Sequence, residues 1–507
     1  MPRSPSKVAD EHLVAAEHAV TNDAAIASSS TADPPAVPSD TAKALLPWLV
    51  AVGFFMESLD TTILNTAVPS IAQALQVPPL SMKAVLASYT LSLAVFIPIS
   101  GWMANRFGTR RVFASAIGIF ALGSLLCGVS RNIHLLVACR VLQGCGGAMM
   151  LPVGRLTLVR TFAKTELIRA MSFVSIPALV GPMLGPLLGG MIIHYFHWSV
   201  IFFVNLPIGL VGLIMVYRHM PDFRAEKNDP LDIVGLTLFG SGISLLSYVL
   251  EVFGEHTLSG REILGLLGIS FALLGTYFLH GTRTPYPLLR LGLLRLRSFR
   301  VSVAGNLCTR IGIGGMPFLL PLLYQVGLGY TAIQSGLMIM PQALAAMSLK
   351  MFLPRILQRF GYRKILVWNT IGLGVMLALF STIDVGTPAW LIAFLTFVFG
   401  FVTSTQYTSM NTLAYADVSA EEASSASTIA STVQQLAVSF GVAAASLTAA
   451  LFIPSHVQAS PSELIHGIHW AFRALGASTI IATLVFWELK PDDGAAVSSH
   501  KLELPAG

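Results

Sequence analysis

The hydrophobic residues of this chain come in long runs broken by short polar stretches. A bilayer hydrocarbon core of about 30 Å takes roughly 20 helical residues to cross. Runs of that length fall near 45–69, 82–103, 112–130, 134–157, 170–193, 200–218 and 231–252, then near 263–281, 300–325, 333–354, 365–383, 389–412, 425–452 and 469–488. The pattern predicts an all-α polytopic membrane protein with about fourteen spanning helices and both ends on one side. Residues 1–43 are rich in Ala, Ser, Asp and Pro and lack an apolar run, as expected of a disordered tail; 491–507 read the same way.

Composition agrees. Only 11% of the 507 residues are charged and 54% are hydrophobic, whereas a soluble protein carries roughly 25% charged residues. The net charge of +6 could suggest nucleic acid, but the positions of the basic residues argue against it. One set of loops holds Arg106, Arg110, Arg111, Arg160, Lys164, Arg169, Arg218, Arg224, Lys227, Arg283, Arg290, Arg295, Arg297, Arg300, Arg355, Arg359, Arg363 and Lys364; the other holds Lys83, Arg131 and Arg261. Cytoplasmic loops carry the excess of Lys and Arg, so both termini are expected in the cytoplasm. The loop 413–424 dissents with Asp417, Glu421 and Glu422, although acids weigh little in this rule. The four cysteines lie in apolar segments without metal-ligand spacing. No metal cluster, nucleotide loop or nucleophile elbow is present, so neither an enzyme nor a cofactor is expected.

An internal repeat divides the chain. Arg106-Phe107-Gly108-Thr109-Arg110-Arg111 recurs as Arg359-Phe360-Gly361-Tyr362-Arg363-Lys364, each after a helix and on the same side. Repeated halves are how many transporters build alternating access. The expected division is a six-helix bundle over 44–218, a linker with two inserted helices over 219–299, and a second six-helix bundle over 300–490.

Against this apolar background a few polar residues stand out. Glu57 and Asp60 interrupt the first span three residues apart, on one helical face. A carboxylate in hydrocarbon is costly and commonly marks a pathway or proton relay; the plainer alternative is a polar patch that fixes helix packing. Arg140 lies about six residues in from one end of the fourth span, roughly 9 Å at 1.5 Å per residue, and Asp60 about fifteen from the other side, roughly 22 Å. In a core of about 30 Å these depths nearly coincide. A buried arginine cannot shed its charge and seeks a carboxylate, so the two are expected to form a proton switch or a static ion pair. Gln143 follows on the same helix. In the fifth span Gly181, Pro182, Gly185, Pro186 and Gly189 suggest a hinge or a smooth sealing face. Gly101, Asn105, Arg106, Gly108, Arg110 and Arg111 form a tight basic turn. In the second half Asn306 and Arg310 share a helical face, with no evident carboxylate partner. Asn65, Gln143, Asn306, Arg310, Tyr324, Gln325, Gln406, Tyr407 and Asn411 are candidate cavity residues.

These residues resemble the major facilitator superfamily, in particular its fourteen-helix drug:proton antiporter branch of bacterial inner-membrane exporters. Leu59 to Pro69 resembles that branch's first-helix motif, Gly101 to Arg111 the loop between helices two and three, Arg140 to Gly144 the fourth-helix motif, and Gly181 to Gly190 the fifth-helix antiporter motif. Trp198 to Gly209 and Leu320 to Pro341 match further, and the likeness covers nearly all of 45–488. It implies a proton-driven antiporter in the inner membrane that exports lipophilic small molecules and needs no cofactor beyond the proton gradient; a monomer is the expected state, with the oligomeric state left open. The resemblance leaves open whether Glu57 or Asp60 carries the proton; the depth match with Arg140 makes Asp60 the first candidate and Glu57 the second, with Arg140 tuning the site and the cavity expected between the halves. An exporter of an organic anion or metal chelate on the same fold is the alternative that Arg310 motivates. Asn105 stands where the family usually has an acid that helps lock the halves outward-facing, which implies a weaker lock.

Overall fold

The computed structural model describes residues 40–162, 164–224, 230–252, 259–419, 422–452 and 461–494. Lys227, Glu421 and most of the two predicted tails lie outside them. Thirteen helices among the described residues are long and apolar enough to cross a bilayer. A lipid-exposed segment must satisfy its own backbone hydrogen bonds, and an α-helix does so within one segment. No strand occurs among the described residues.

In chain order the first helices are α1 (Lys43–Ala74), α2 (Pro79–Phe107), α3 (Thr109–Gly128) and α4 (Ile133–Thr161). The 32-residue helix Lys164–Tyr195 takes the fifth place as α5 and runs on through Pro182 and Pro186. Next come α6 (Val200–His219), α7 (Ile233–Leu250), α8 (Gly260–Arg283) and α9 (Arg297–Gly327). One helical run from Ala332 to Phe380 breaks at Gly361 and supplies α10 (332–360) and α11 (362–380). The last three are α12 (Ala389–Leu413), α13 (Ser425–Leu451) and α14 (Ser462–Phe486). With α5 the total is fourteen, as the apolar runs predict. Local chemistry fixes several starts. The Asn132 side chain accepts from Leu135 N at 2.8 Å, and Ser259–Glu262 and Thr331–Gln334 form reciprocal capping boxes.

Helices α2 to α6 pack among themselves, as do α9 to α14. Helix α13 lies against α2, and α10 against α5, so these pairs join the halves. The inserted hairpin α7–α8 rests on α2 and α13. Its outer helix leaves Leu264, Ile269, Phe271, Phe278 and Leu279 exposed, as a lipid-facing helix should.

The apolar core is divided unevenly. On the side remote from the chain ends one continuous cluster runs through both halves, from Leu64, Ile71, Met82 and Leu86 to Leu319, Tyr324, Val442 and Ile465. On the terminal side the first half has its own cluster (Leu46, Phe113, Met150, Val216) and the second half another (Val301, Leu353, Tyr362, Phe486). A further cluster joins Ala94 of α2 and the inserted hairpin to Phe299, Ala414, Ala426 and Leu436 of the second half. The halves therefore share one continuous core at the remote side and a smaller contact through α2 elsewhere.

The repeat survives in the backbone. Gly108 has φ 93° and Gly361 φ 70°, a region in which glycine alone carries no Cβ penalty. Both glycines turn the chain between consecutive spans, at matching places in the two halves.

Candidate functional site

The polar interruption of α1 sits where four other helices of the first half, α2, α3, α4 and α6, converge on it. Asp60 and Arg140 are each 1% exposed, with Arg140 Nη1 2.5 Å from Asp60 Oδ2. The same Nη1 donates to Gln143 Oε1 at 2.7 Å, and Nε donates to the Val85 carbonyl at 3.4 Å. Asp60 Oδ1 accepts from Gln143 Nε2 at 2.8 Å and from Asn205 Nδ2 at 3.2 Å. Ser124 Oγ accepts from both amides, at 2.7 and 3.3 Å. The Tyr89 ring lies 4.2 Å from the guanidinium carbon. Both oxygens of Asp60 are thus met by donors, one of them a permanent cation. This is how a buried ion pair offsets its desolvation.

The depth-matched pairing of Asp60 with Arg140 is present. Gln143 is not among the residues that line the cavity at Glu57: three residues along α4 from Arg140, it faces the same way and is consumed by the ion cluster. Asn205 and Ser124 complete that cluster, and the sequence reading passed over both. The available signal for Asn205 was a lone amide within the apolar start of α6.

Glu57, one turn before Asp60, is placed differently. Its Oε2 is buried without a hydrogen-bond partner among the described residues. It lines a cavity of about 360 Å³ whose wall also includes Phe54, Asn65, Leu86, Tyr89 and Arg140 from the first half and Gly314, Pro317, Gln434, Gln435, Val438 and Val442 from the second. The volume lies in the range of small-molecule sites, which are mostly apolar with a few convergent polar groups.

Asn65 lines this cavity as expected; the other candidates of the second half lie elsewhere. Asn306 and Arg310 are buried, with Arg310 Nε donating to Asn306 Oδ1 at 2.7 Å and the guanidinium carbon 3.5 Å from the Tyr407 ring centroid. Asn306 Nδ2 reaches Asn411 Oδ1 at 3.4 Å. Gln406 is held by Thr370 and Asn369, both at 2.8 Å, and Tyr324 faces Thr396; both pack inside the second half. Gln325 Nε2 donates across the halves to the Thr66 carbonyl at 2.8 Å.

The conformational motifs are equally specific. A Cβ on Gly181, Gly185 or Gly189 would strike Ser58, Thr62 or Thr66 of α1 in turn, and one on Gly336 of α10 would strike the Pro186 carbonyl. Helix α5 is therefore a smooth face between α1 and α10. At the basic turn, Asn105 Oδ1 accepts from Arg160 Nη2 at 2.8 Å. Asp222, beyond α6, accepts from the Arg110 backbone N–H at 3.1 Å and fills the space beside Gly108. Thr109 is laced to Pro221 and Phe223 by three hydrogen bonds of 3.0–3.1 Å. Arg106, Arg111 and Gly101 are exposed.

The family model described as Major Facilitator Superfamily matches residues 50–442. The chain belongs to that superfamily. It is 41% identical over 456 residues to the "Putative multidrug resistance protein MdtD" of Escherichia coli O157:H7, covering 90% of this chain and 97% of that protein. The Escherichia fergusonii protein of the same name is 40% identical over 430 residues, covering 84% and 91%. Solved structures share the fold at low identity. The POT family transporter PepTSo has a TM-score of 0.65 at 14% identity, covering 87% of this chain and 97% of that one. A D-xylose–proton symporter has 0.62 at 15%, covering 88% and 98%. This is a multi-pass membrane transporter.

Proposed function

We propose that this chain is a proton-coupled antiporter of the inner membrane that expels lipophilic small molecules of the multidrug class, with Glu57 carrying the exchanged proton. One contrast carries the reading: on the same face of α1, Asp60 is saturated with donors and sealed, whereas Glu57 presents an unpartnered oxygen at the wall of a cavity shared by both halves. A group that gains and loses a proton during transport needs access to water and substrate from alternating sides. Glu57, at the wall of the cavity between the halves, is the better placed of the two acids. Protonating Asp60 would leave the Arg140 guanidinium uncompensated in the interior, a state that is strongly disfavoured. Asp60 and Arg140 act as the fixed charge pair that holds α1 against α4, reversing the order of candidates that depth alone suggested. The terminal side, where the basic loops lie, is assigned to the cytoplasm by the excess of Lys and Arg, and the continuous apolar cluster at the remote side supports an inward-facing reading.

The name borne by the MdtD relatives supports a multidrug cargo, and the apolar wall of Phe54, Leu86, Pro317, Val438 and Val442 suits one. The experiment is dye export from proteoliposomes under an imposed pH gradient. Wild type should move a lipophilic cation uphill and release protons in exchange. Glu57→Gln should bind the dye yet fail to move it uphill. Uphill export retained in Glu57→Gln would remove this reading.

A further inference from the structure

Arg310 is the buried charge that the coupling cluster leaves out. It is 6% exposed, and among the described residues it forms no ion pair. Its Nε donates to Asn306 and its plane lies over Tyr407, while Nη1 and Nη2 donate to nothing among the described residues. A guanidinium keeps its charge at any physiological pH and presents five donors in a fork matched to carboxylates. Arg140 shows what satisfaction looks like here: a carboxylate, an amide oxygen and a backbone carbonyl. Arg310 has an amide oxygen and a ring face, so the fork itself is open.

Arg310 is not among the residues that line the cavity; it stands one turn of α9 from the wall. Gly314, one turn further along α9, lines the cavity together with Pro317. There α9 and α13 lie in close contact, Gly314 against Val438 and Gly441 against the Arg310 carbonyl. In the other direction Asn306 and the exposed Asn411 continue a polar strip toward the terminal side.

We propose that Arg310 is the anion-binding subsite for substrate, and that the favoured cargo is an amphipathic zwitterion. Its carboxylate pairs with Arg310, its apolar body lies along the cavity wall, and its cationic end approaches Glu57. The cationic end follows from the sign of the coupling and rests on the antiport reading above. An anion alone would bind better when Glu57 is protonated and would travel with the proton. A positive group beside Glu57 favours the deprotonated acid, so cargo and proton exclude one another.

The test pairs a xanthene dye bearing a free carboxylate, a zwitterion, with its methyl ester, a monocation of nearly equal size. Binding is read by fluorescence anisotropy on the full chain in detergent, and export in proteoliposomes. Wild type should bind the zwitterion about tenfold more tightly than the ester, a difference of about 1.4 kcal/mol. Arg310→Gln should erase that preference by weakening the zwitterion alone, and Arg310→Lys should restore part of it. Equal loss for both dyes would mean that Arg310 only packs against Tyr407, and an unchanged preference would mean that the carboxylate binds elsewhere; either overturns the proposal. The antiport reading is tested separately by the ester: uphill export by wild type and its loss in Glu57→Gln uphold antiport even if Arg310 shows no selectivity.

Discussion

Glu57 and Asp60 stand one helical turn apart on α1 and meet opposite surroundings: Asp60 accepts from Arg140, Gln143 and Asn205, while Glu57 Oε2 accepts from nothing among the described residues. The two acids should therefore fail in different ways. Asp60→Asn strands the Arg140 charge and is expected to destabilise the protein by about 3–5 kcal/mol, seen as poor yield and a lowered Tm. Glu57→Gln removes no bond from Oε2 and should melt near wild type while losing uphill export. Equal melting of Asp60→Asn and wild type would show that the ion cluster contributes little to the fold.

The face of α5 that meets α1 has no room to spare. Gly185→Ala places a methyl group against Thr62 Oγ1 and near the Ile63 backbone, and overpacking of this kind costs about 1–3 kcal/mol. Gly101→Ala is the matched control, since nothing lies within 4 Å of the new carbon; relief of glycine's backbone entropy should stabilise that helix by about 0.5–1 kcal/mol. Melting curves of the two variants should move in opposite directions.

The two repeat glycines share a backbone strain and differ in their neighbours. Alanine at Gly361 must adopt φ near 70°, at a cost of about 1–3 kcal/mol. Alanine at Gly108 incurs the same strain and also collides with the Asp222 carboxylate. Gly108→Ala should thus be the more damaging of the pair in both Tm and transport, and Asp222→Ala should relieve part of the difference.

At the terminal side the end of the chain grips the start of the second half. Arg297 Nε and Nη2 bind Asp493 Oδ2 and Oδ1 at 2.8 and 2.5 Å, and Arg300 pairs with Glu488. Partial burial raises the Asp493 pKa, but the Arg297 hydrogen bonds and the Lys490 backbone N–H outweigh it and hold the carboxyl below its ordinary value of 3.8. A depressed acid stabilises the fold above its unfolded pKa, and that contribution fades as pH falls through the folded one. The clamp should therefore be fully present at neutral pH and begin to fade once pH falls below about 4. Asp493→Asn should lower Tm at pH 7 by roughly 1 °C, and the difference from wild type should shrink as pH is taken below about 4. A pH-independent deficit would point to lost packing of the 491–494 turn instead.

Much of this architecture was legible because hydrocarbon is an unforgiving solvent. It demands long apolar runs, so the spans could be counted, and it penalises lone charges, so Asp60 and Arg140 could be matched by depth. The facing of the remaining polar residues was harder to read. A helix that is apolar nearly all round carries little information about its rotation, and so Gln406 and Tyr324, expected at the cavity, turn inward to Thr370 and Thr396. Gln143 could have been placed correctly from its spacing of three from Arg140, which puts both on one face of α4. Asn205 offered only a lone amide at the apolar start of α6, and nothing local named Asp60, 145 residues away, as its partner.

The remote seal gives the last test. Gln325 Nε2 donates to the Thr66 carbonyl at 2.8 Å from the opposite half, within the apolar cluster that spans both halves. A single hydrogen bond is worth about 1 kcal/mol net, so Gln325→Ala should shift the balance of states toward remote-side opening by about fivefold, at 1.4 kcal/mol per factor of ten. The apolar contacts remain, so the sealed state should still be well populated. Spin labels at Gln76 and Gly329, in the α1–α2 and α9–α10 loops, would report the change as a growing long-distance component in pulsed-dipolar spectra. Deeper truncation of the same cluster at Tyr324 should enlarge that component further, and distances that respond to neither substitution would place the controlling seal elsewhere.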